Sequence, residues 1–207
     1  MKTSTSILVF LAVVFMQAFI SCRDDNEEVG TIYSGFMTGY TDSEGYISVL
    51  NDDFGKQYMV KEKSGRLKSD TLYRMVASVE LDENLNARIL QMVPTISDKA
   101  YEDSVNPDFK DPVEIKSMYI GSGFLNIHLG IKVAKEGTVH RLFYSHINTP
   151  GKVVLAIYHN ADDDKPVYTK YAYLSIPLSG YGLSKNDTVF VNAKGYDKDY
   201  DSPVIYK

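Results

Sequence analysis

The sequence predicts an all-β protein: a small OB-like five-stranded barrel followed by an antiparallel β-sandwich. Three observations carry that expectation. Beyond residue 30 no segment keeps a 3.6-residue apolar period; short β-branched and aromatic runs alternate with turn residues instead. Leu125, Ile127, Leu129, Ile131 and Val133 alternate with Asn126, His128, Gly130 and Lys132, the period of two that marks a strand buried on one face. The runs also fall into two sets, parted by a stretch where Pro94, Pro107 and Pro112 punctuate Asp, Ser and Lys.

The first elements in chain order lie outside that fold. Lys2 and small polar residues precede Ile7–Ile20, a nearly continuous apolar run of about 14 residues, short of the roughly 20 a membrane-spanning helix needs. A basic start, a short apolar stretch and a small residue at its end predict a secretory signal over 1–21. Phe19-Ile20-Ser21-Cys22 resembles the lipobox of bacterial lipoproteins, in which the cysteine thiol accepts a diacylglyceryl group. The resemblance implies cleavage between Ser21 and Cys22, and a covalent lipid on Cys22 that ties the protein to a membrane. Each buried acyl CH₂ contributes about 0.8 kcal/mol, so two or three chains hold a protein there. Cys22 is the sole cysteine, so its acylation leaves no thiol for a disulfide, a metal or a nucleophile. Arg23-Asp24-Asp25-Asn26-Glu27-Glu28 has nothing apolar to bury, and 22–30 is read as an acidic tether. Acidic runs behind a lipid cysteine resemble the signals that carry some outer-membrane lipoproteins to the cell exterior. The expected location is therefore the outer membrane, lipid-anchored and surface-exposed, with the periplasmic face as the alternative.

The barrel is assigned to 31–93. Its strands are Thr31–Tyr40, Tyr46–Leu50, Gln57–Lys61, Leu72–Leu81 and Ala87–Val93, separated by turn chemistry at 42–45, 51–55, 64–65 and 82–84. Five strands are too few for a sandwich and suit a small barrel, where closure removes exposed edges. Residues 94–112 read as a connection with a helical turn near Ala100–Ser104. The sandwich is assigned to 113–207. It starts at Val113 and continues through 125–133, Val139–Ile147, Val153–His159, Tyr168–Ile176, Thr188–Ala193 and Val204–Tyr206.

Asp111-Pro112-Val113-Glu114-Ile115, Tyr119-Ile120-Gly121, Phe124-Leu125-Asn126-Ile127 and Leu174-Ser175-Ile176-Pro177-Leu178 resemble the NigD-like lipoprotein family. The order of lipobox, small barrel and sandwich agrees. The resemblance implies an N-terminal OB-like domain, a C-terminal β-sandwich and a role in bacteriocin immunity. It brings no catalytic residues.

Composition narrows the chemistry. Asp and Glu number 27 against 22 Lys and Arg, for a net charge of -5. An acidic, exported chain does not suit nucleic acid, whose phosphates need cationic surface. The local exception is Lys56, Lys61, Lys63, Arg66 and Lys68, opposed by Glu62. These read either as charged edge strands that resist aggregation or as a patch for an anionic glycan or an acidic protein. Tyr33, Tyr40, Tyr46 and Tyr58 are the best candidates to stack on sugar rings.

Other motifs are incomplete. His128, His140, His146 and His159 lack the fixed short spacing of a metal site and read as sheet-surface histidines, with His128 within reach of Tyr144 or His146 if the flanking strands form a hairpin. Asp197, Asp199 and Asp201 copy the first ligand positions of a calcium loop, but Ser202 stands where the turn wants Gly and the chain ends before a distal acid. Asp162-Asp163-Asp164 fails likewise. Ser122, in Ile-Gly-Ser-Gly-Phe, is not a nucleophile elbow, and its glycines suit a tight turn. Asp70-Thr71-Leu72, Asp103-Ser104-Val105 and Asp187-Thr188-Val189 resemble a bacterial O-glycosylation sequon, which implies glycans on Thr71, Ser104 and Thr188. No catalytic residue, metal or cofactor beyond the covalent lipid is expected. Two readings remain: a non-catalytic binding protein with a protein partner, or a carbohydrate-binding lipoprotein beside a glycan uptake system.

Overall fold

The computed structural model describes residues 30–97, 111–134, 140–149, 151–162, 164–165 and 167–207. The signal segment, Cys22, most of the tether, Ser104 and the helical turn near Ala100–Ser104 lie outside the described residues. Thr31–Lys207 forms one compact unit.

Five strands build the first module: β1 (Thr31–Thr41), β2 (Ile47–Asp52), β3 (Gln57–Val60), β4 (Leu72–Leu81) and β5 (Asn86–Pro94). They close in the order β1-β2-β3-β5-β4. Neighbours are antiparallel except β3 and β5, which run parallel where the barrel shuts. Inward positions on β1 are odd-numbered. Met37 is wholly buried with Ile47, Leu50, Tyr58, Met75, Ala77, Val79 and Ala87 in the barrel core.

Three of its turns share one device. Asp42, Asp52 and Asp82 each accept, through Oδ1, the N–H groups two and four residues on, at 2.8–2.9 Å. The residue three places on donates its N–H back to the same aspartate's carbonyl and has a left-handed backbone: Gly45, Gly55 and Leu85, with φ of 87°, 87° and 58°. Glycine accepts that conformation freely; Leu85 does so at a cost.

Seven strands build the second module: β6 (Glu114–Gly121), β7 (Phe124–Val133), β8 (Arg141–Thr149), β9 (Lys152–Asn160), β10 (Tyr168–Pro177), β11 (Thr188–Ala193) and β12 (Tyr200–Ile205). They form a three-stranded sheet, β10-β7-β6, and a four-stranded sheet, β12-β11-β9-β8. Leu125, Ile127, Leu129, Leu155, Leu174, Ile176, Val189 and Val191 meet between the sheets with no exposure. Ser122 and Gly123, both at positive φ, make the two-residue turn from β6 to β7 that primed hairpins require.

Three features differ from the sequence expectation. β9 and β11 pair in parallel, because the chain leaves β9 for the opposite sheet as β10 before returning. β12 starts at Tyr200, four residues before the expected strand at Val204. β7 is buried on both faces at its beginning: Asn126, on the face expected to meet solvent, has no exposure. The barrel covers it.

Candidate functional site

The barrel and sandwich meet around one ion pair. Arg74 of β4 and Asp53, just after β2, are bonded Nη2 to Oδ1 at 2.5 Å, with side-chain exposures of 5% and 1%. Arg74 also donates from Nε to Ser175 Oγ at 2.8 Å, from Nη2 to Asn126 Oδ1 at 3.0 Å and from Nη1 to Thr38 Oγ1 at 3.2 Å. Asp53 Oδ2 accepts from Asn126 Nδ2 at 2.7 Å and from the Tyr119 hydroxyl at 2.8 Å. The Arg74 guanidinium lies over the Phe124 ring at 4.6 Å and the Phe36 ring at 5.8 Å, while Phe36 meets Tyr119 and Tyr173 edge-on. Gly121 leaves the room this needs: a Cβ there would sit 2.6 Å from the Asp53 Cβ. Burial, then the Asp53 carboxylate, push the Tyr119 hydroxyl well above its ordinary range. Each charge is partnered and shielded from water, so this node fixes the modules against each other and offers no reactive group.

The tyrosines expected to stack on sugars do not share a face. Tyr58 is buried, and its hydroxyl donates to Asp52 Oδ2 at 2.8 Å. Tyr33 lies 6.0 Å from the Tyr58 ring, because on β1 it shares the inward parity of Met37. Tyr46 sits beneath Lys63 Nζ at 4.8 Å, and only Tyr40 presents its ring outward, 42% exposed. Inward parity thus removes two of the four from any sugar platform. Lys56, Lys61, Lys63, Arg66 and Lys68 are all exposed, and Lys63 pairs with Glu44. Thr71 donates its hydroxyl to Ser69 O, and Thr188 borders a cleft of about 830 Å³ that Tyr181, Phe190 and Lys152 also line.

A row of side chains crosses the outer barrel, of which sequence reasoning singled out Tyr40 alone. Tyr40 stands opposite Leu72 on one side and Val49 on the other, and Val49 stands opposite Met59. Directly opposed residues share a sheet face, so these four form one apolar line over β4, β1, β2 and β3, spanning roughly 14 Å at the usual strand spacing. Leu72 is 65% exposed and Met59 48%. The neighbouring line, Arg74, Thr38, Asn51 and Gln57, is polar and runs into the junction with the sandwich. Exposed cations border the row: Lys56 beside Gln57, Lys61 two residues past Met59, and Lys68, whose carbonyl accepts the Thr41 hydroxyl next to Tyr40. Only strand pairing could have revealed it, since its members are far apart in sequence.

The histidines also depart from expectation. His128 meets neither Tyr144 nor His146, because β7 pairs with β6 and β10 while β8 belongs to the other sheet. It stacks on Tyr173 at 4.8 Å instead. His159 is buried rather than on the sheet surface, and its ring stacks on His140 at 5.0 Å. Among the described residues no three His, Cys, Asp or Glu side chains gather to hold a metal.

A two-module, all-β scaffold with a sealed polar junction and an apolar barrel face defines a class of paired barrel and sandwich proteins. The profile of the NigD-like C-terminal beta sandwich domain matches residues 94–206, and the chain belongs to that family. It is 25% identical to a NigD-like immunity protein from Bacteroides caccae, covering 83% of this chain and 92% of that one, with a TM-score of 0.68. A protein from Parabacteroides distasonis described as a candidate toxin-related protein is 18% identical, with 86% and 94% covered and a TM-score of 0.69. A candidate lipoprotein from Bacteroides fragilis is 11% identical, with 86% and 98% covered and a TM-score of 0.61. The latter two share the fold. No curated protein matches the chain.

Proposed function

We propose that this protein is a non-catalytic, envelope-tethered binding protein whose barrel engages a protein partner, in the manner of bacteriocin immunity. The observation that carries the reading is the line Leu72, Tyr40, Val49 and Met59, in which Leu72, Tyr40 and Met59 are exposed and Val49 is half-buried. Exposed apolar side chains in contiguous array on a soluble domain mark an interaction surface. A tyrosine at its centre supplies contact area with a polar tip. The bordering lysines select a partner that sets acidic groups around an apolar stripe. The likeness to a solved NigD-like immunity protein supports a toxin as that partner. A lipid on Cys22 would hold the domains at the outer membrane surface, where an incoming bacteriocin arrives. The glycan reading loses its main support when Tyr33 and Tyr58 turn into the barrel.

Leu72→Glu and Met59→Glu test the face. Leu72 is 65% exposed and Met59 48%, so the fold tolerates the change. Fully burying a side chain of this size is worth roughly 1.5–3 kcal/mol, so each variant should weaken partner capture by at least about tenfold. Cells lacking the gene should become sensitive within a bacteriocin panel. The wild-type gene should restore resistance and the two variants should not, at equal protein levels. Full resistance from both variants would remove the barrel face from the account, and unchanged sensitivity on deletion would remove the immunity role. Metabolic labelling with palmitate checks the anchor, with label lost in Cys22→Ser.

A further inference from the structure

The stacked histidines of the sandwich belong to a hydrogen-bonded chain whose protons can be counted. At one end, His159 Nδ1 lies 3.1 Å from the Pro112 carbonyl, which can only accept, so that nitrogen carries hydrogen. His159 Nε2 and His140 Nδ1 are 2.8 Å apart, and this bond needs one proton between them. At the other end, His140 Nε2 lies 3.0 Å from Asp164 Oδ2, which also accepts the Ala134 N–H at 2.9 Å. Three bonds need three protons, and two neutral imidazoles bring two.

We infer that His140, His159 and Asp164 form a one-proton latch, closed while the trio holds a single extra proton and open once it is lost. The latch joins the residue after β7, the residue before β8, the turn after β9 and the segment leading into β6. It stands apart from the barrel face and does not depend on it. The extra proton sits on His140. Hydrogen bonds from the Ala134 N–H and His140 hold the Asp164 carboxyl below the usual carboxylate range, keeping it ionised. Burial disfavours the charged form of His159.

Without that proton two hydrogens remain for three bonds, so one of the three contacts sets two lone pairs against each other. The His140 and Asp164 side chains are only 3% and 8% exposed, so water cannot relieve the conflict. That contact must part. A second extra proton is opposed too, since it would place a buried cation at His159 beside a charged neighbour. Among the described residues Asp111, from the segment entering β6, also faces the pair, and its Oδ2 accepts the Ala161 N–H. Arg141 and Lys165, chain neighbours of His140 and Asp164, are exposed.

Ring-nitrogen NMR and amide exchange of the full mature chain between pH 5.5 and 8.5 test this. At the acid end His159 Nδ1 and both nitrogens of His140 should carry hydrogen, and the trio should release one proton as pH rises. After correction for intrinsic exchange, Ala134 protection should fall by about tenfold or more across the same transition, the worth of a charge-assisted bond. His140→Gln should abolish the pH dependence of Ala134 while leaving the far-ultraviolet spectrum unchanged. Two neutral imidazoles at pH 5.5 would overturn the proposal, as would flat Ala134 protection in the wild type. Should His140→Gln fail to fold, the wild-type ring nitrogens decide alone.

Discussion

Replacing Arg74 by methionine probes the junction of the two modules with the fewest side effects. Methionine is unbranched and apolar, and it fills much of the slot between Phe124 and Phe36. What disappears is the charge and every bond the guanidinium makes to Asp53, Ser175, Asn126 and Thr38. Asp53, 1% exposed, keeps the Tyr119 hydroxyl and the Asn126 amide as donors but loses its counter-charge. Stranding one member of a buried pair typically costs about 3–5 kcal/mol, and Arg74→Met should fall in that range. Removing the other charge as well should cost less than the sum. We expect Arg74→Met with Asp53→Asn to fall short of additivity by about 2 kcal/mol, since the double variant leaves no lone ion behind. The assay is urea denaturation followed by far-ultraviolet circular dichroism, with the wild type unfolding in one transition. A loss under about 1 kcal/mol for Arg74→Met, or strict additivity in the double variant, would refute the argument that this pair holds the modules together.

Three further outcomes follow from individual side chains. Leu85 holds a left-handed backbone at φ 58° where the two sister turns use glycine. A left-handed Cβ costs roughly 1–2 kcal/mol and glycine's extra chain entropy returns about half of that, so Leu85→Gly should stabilise by about 0.5–1 kcal/mol; a lower melting temperature would contradict the turn assignment. Burial alone would raise the Asp52 carboxyl, but the N–H groups of Lys56 and Phe54 and the Tyr58 hydroxyl outweigh it and leave the group below its ordinary 3.8. A carboxyl lowered by folding contributes stability above its unfolded value that is lost as pH falls through the folded one. The stability curve of Asp52→Asn below pH 3.8 should therefore be flatter than that of the wild type, and parallel acid limbs would count against it. His128 Nε2 is buried with no hydrogen-bond partner among the described residues, and burial followed by Lys116 holds the imidazole below its ordinary value. His128→Phe keeps the stack on Tyr173 and removes the stranded nitrogen, so it should stabilise by about 1 kcal/mol at neutral pH and by more as pH falls below 6.5.

The architecture was largely legible because it rests on local signals. The alternation from Leu125 to Val133 and the aspartate-led turns mark strands and breaks without knowledge of what pairs with what. The barrel-plus-sandwich fold expected from them is the fold observed. The proposed binding face was not legible, because its members become neighbours only through register: Leu72 and Tyr40 are 32 positions apart in sequence and opposed across two strands. Parity separates the tyrosines. Tyr33 and Tyr40 lie on opposite faces of one strand, a distinction that aromatic content alone cannot make. Five of the residues that carried the family resemblance proved to be junction residues: Tyr119, Gly121, Phe124, Asn126 and Ser175 all surround Arg74 and Asp53. Their common purpose was invisible because both charges come from the barrel, from 45 to 122 positions away.

Photo-crosslinking in living cells puts the partner-binding face to its most direct test. A photoreactive phenylalanine at position 40, at the centre of the apolar row, should give one discrete protein adduct on exposure to the partner bacteriocin. The same group at position 205, an exposed apolar site on β12, should give none. Equal adducts from both positions, or none from position 40 in cells that the protein protects, would contradict the account.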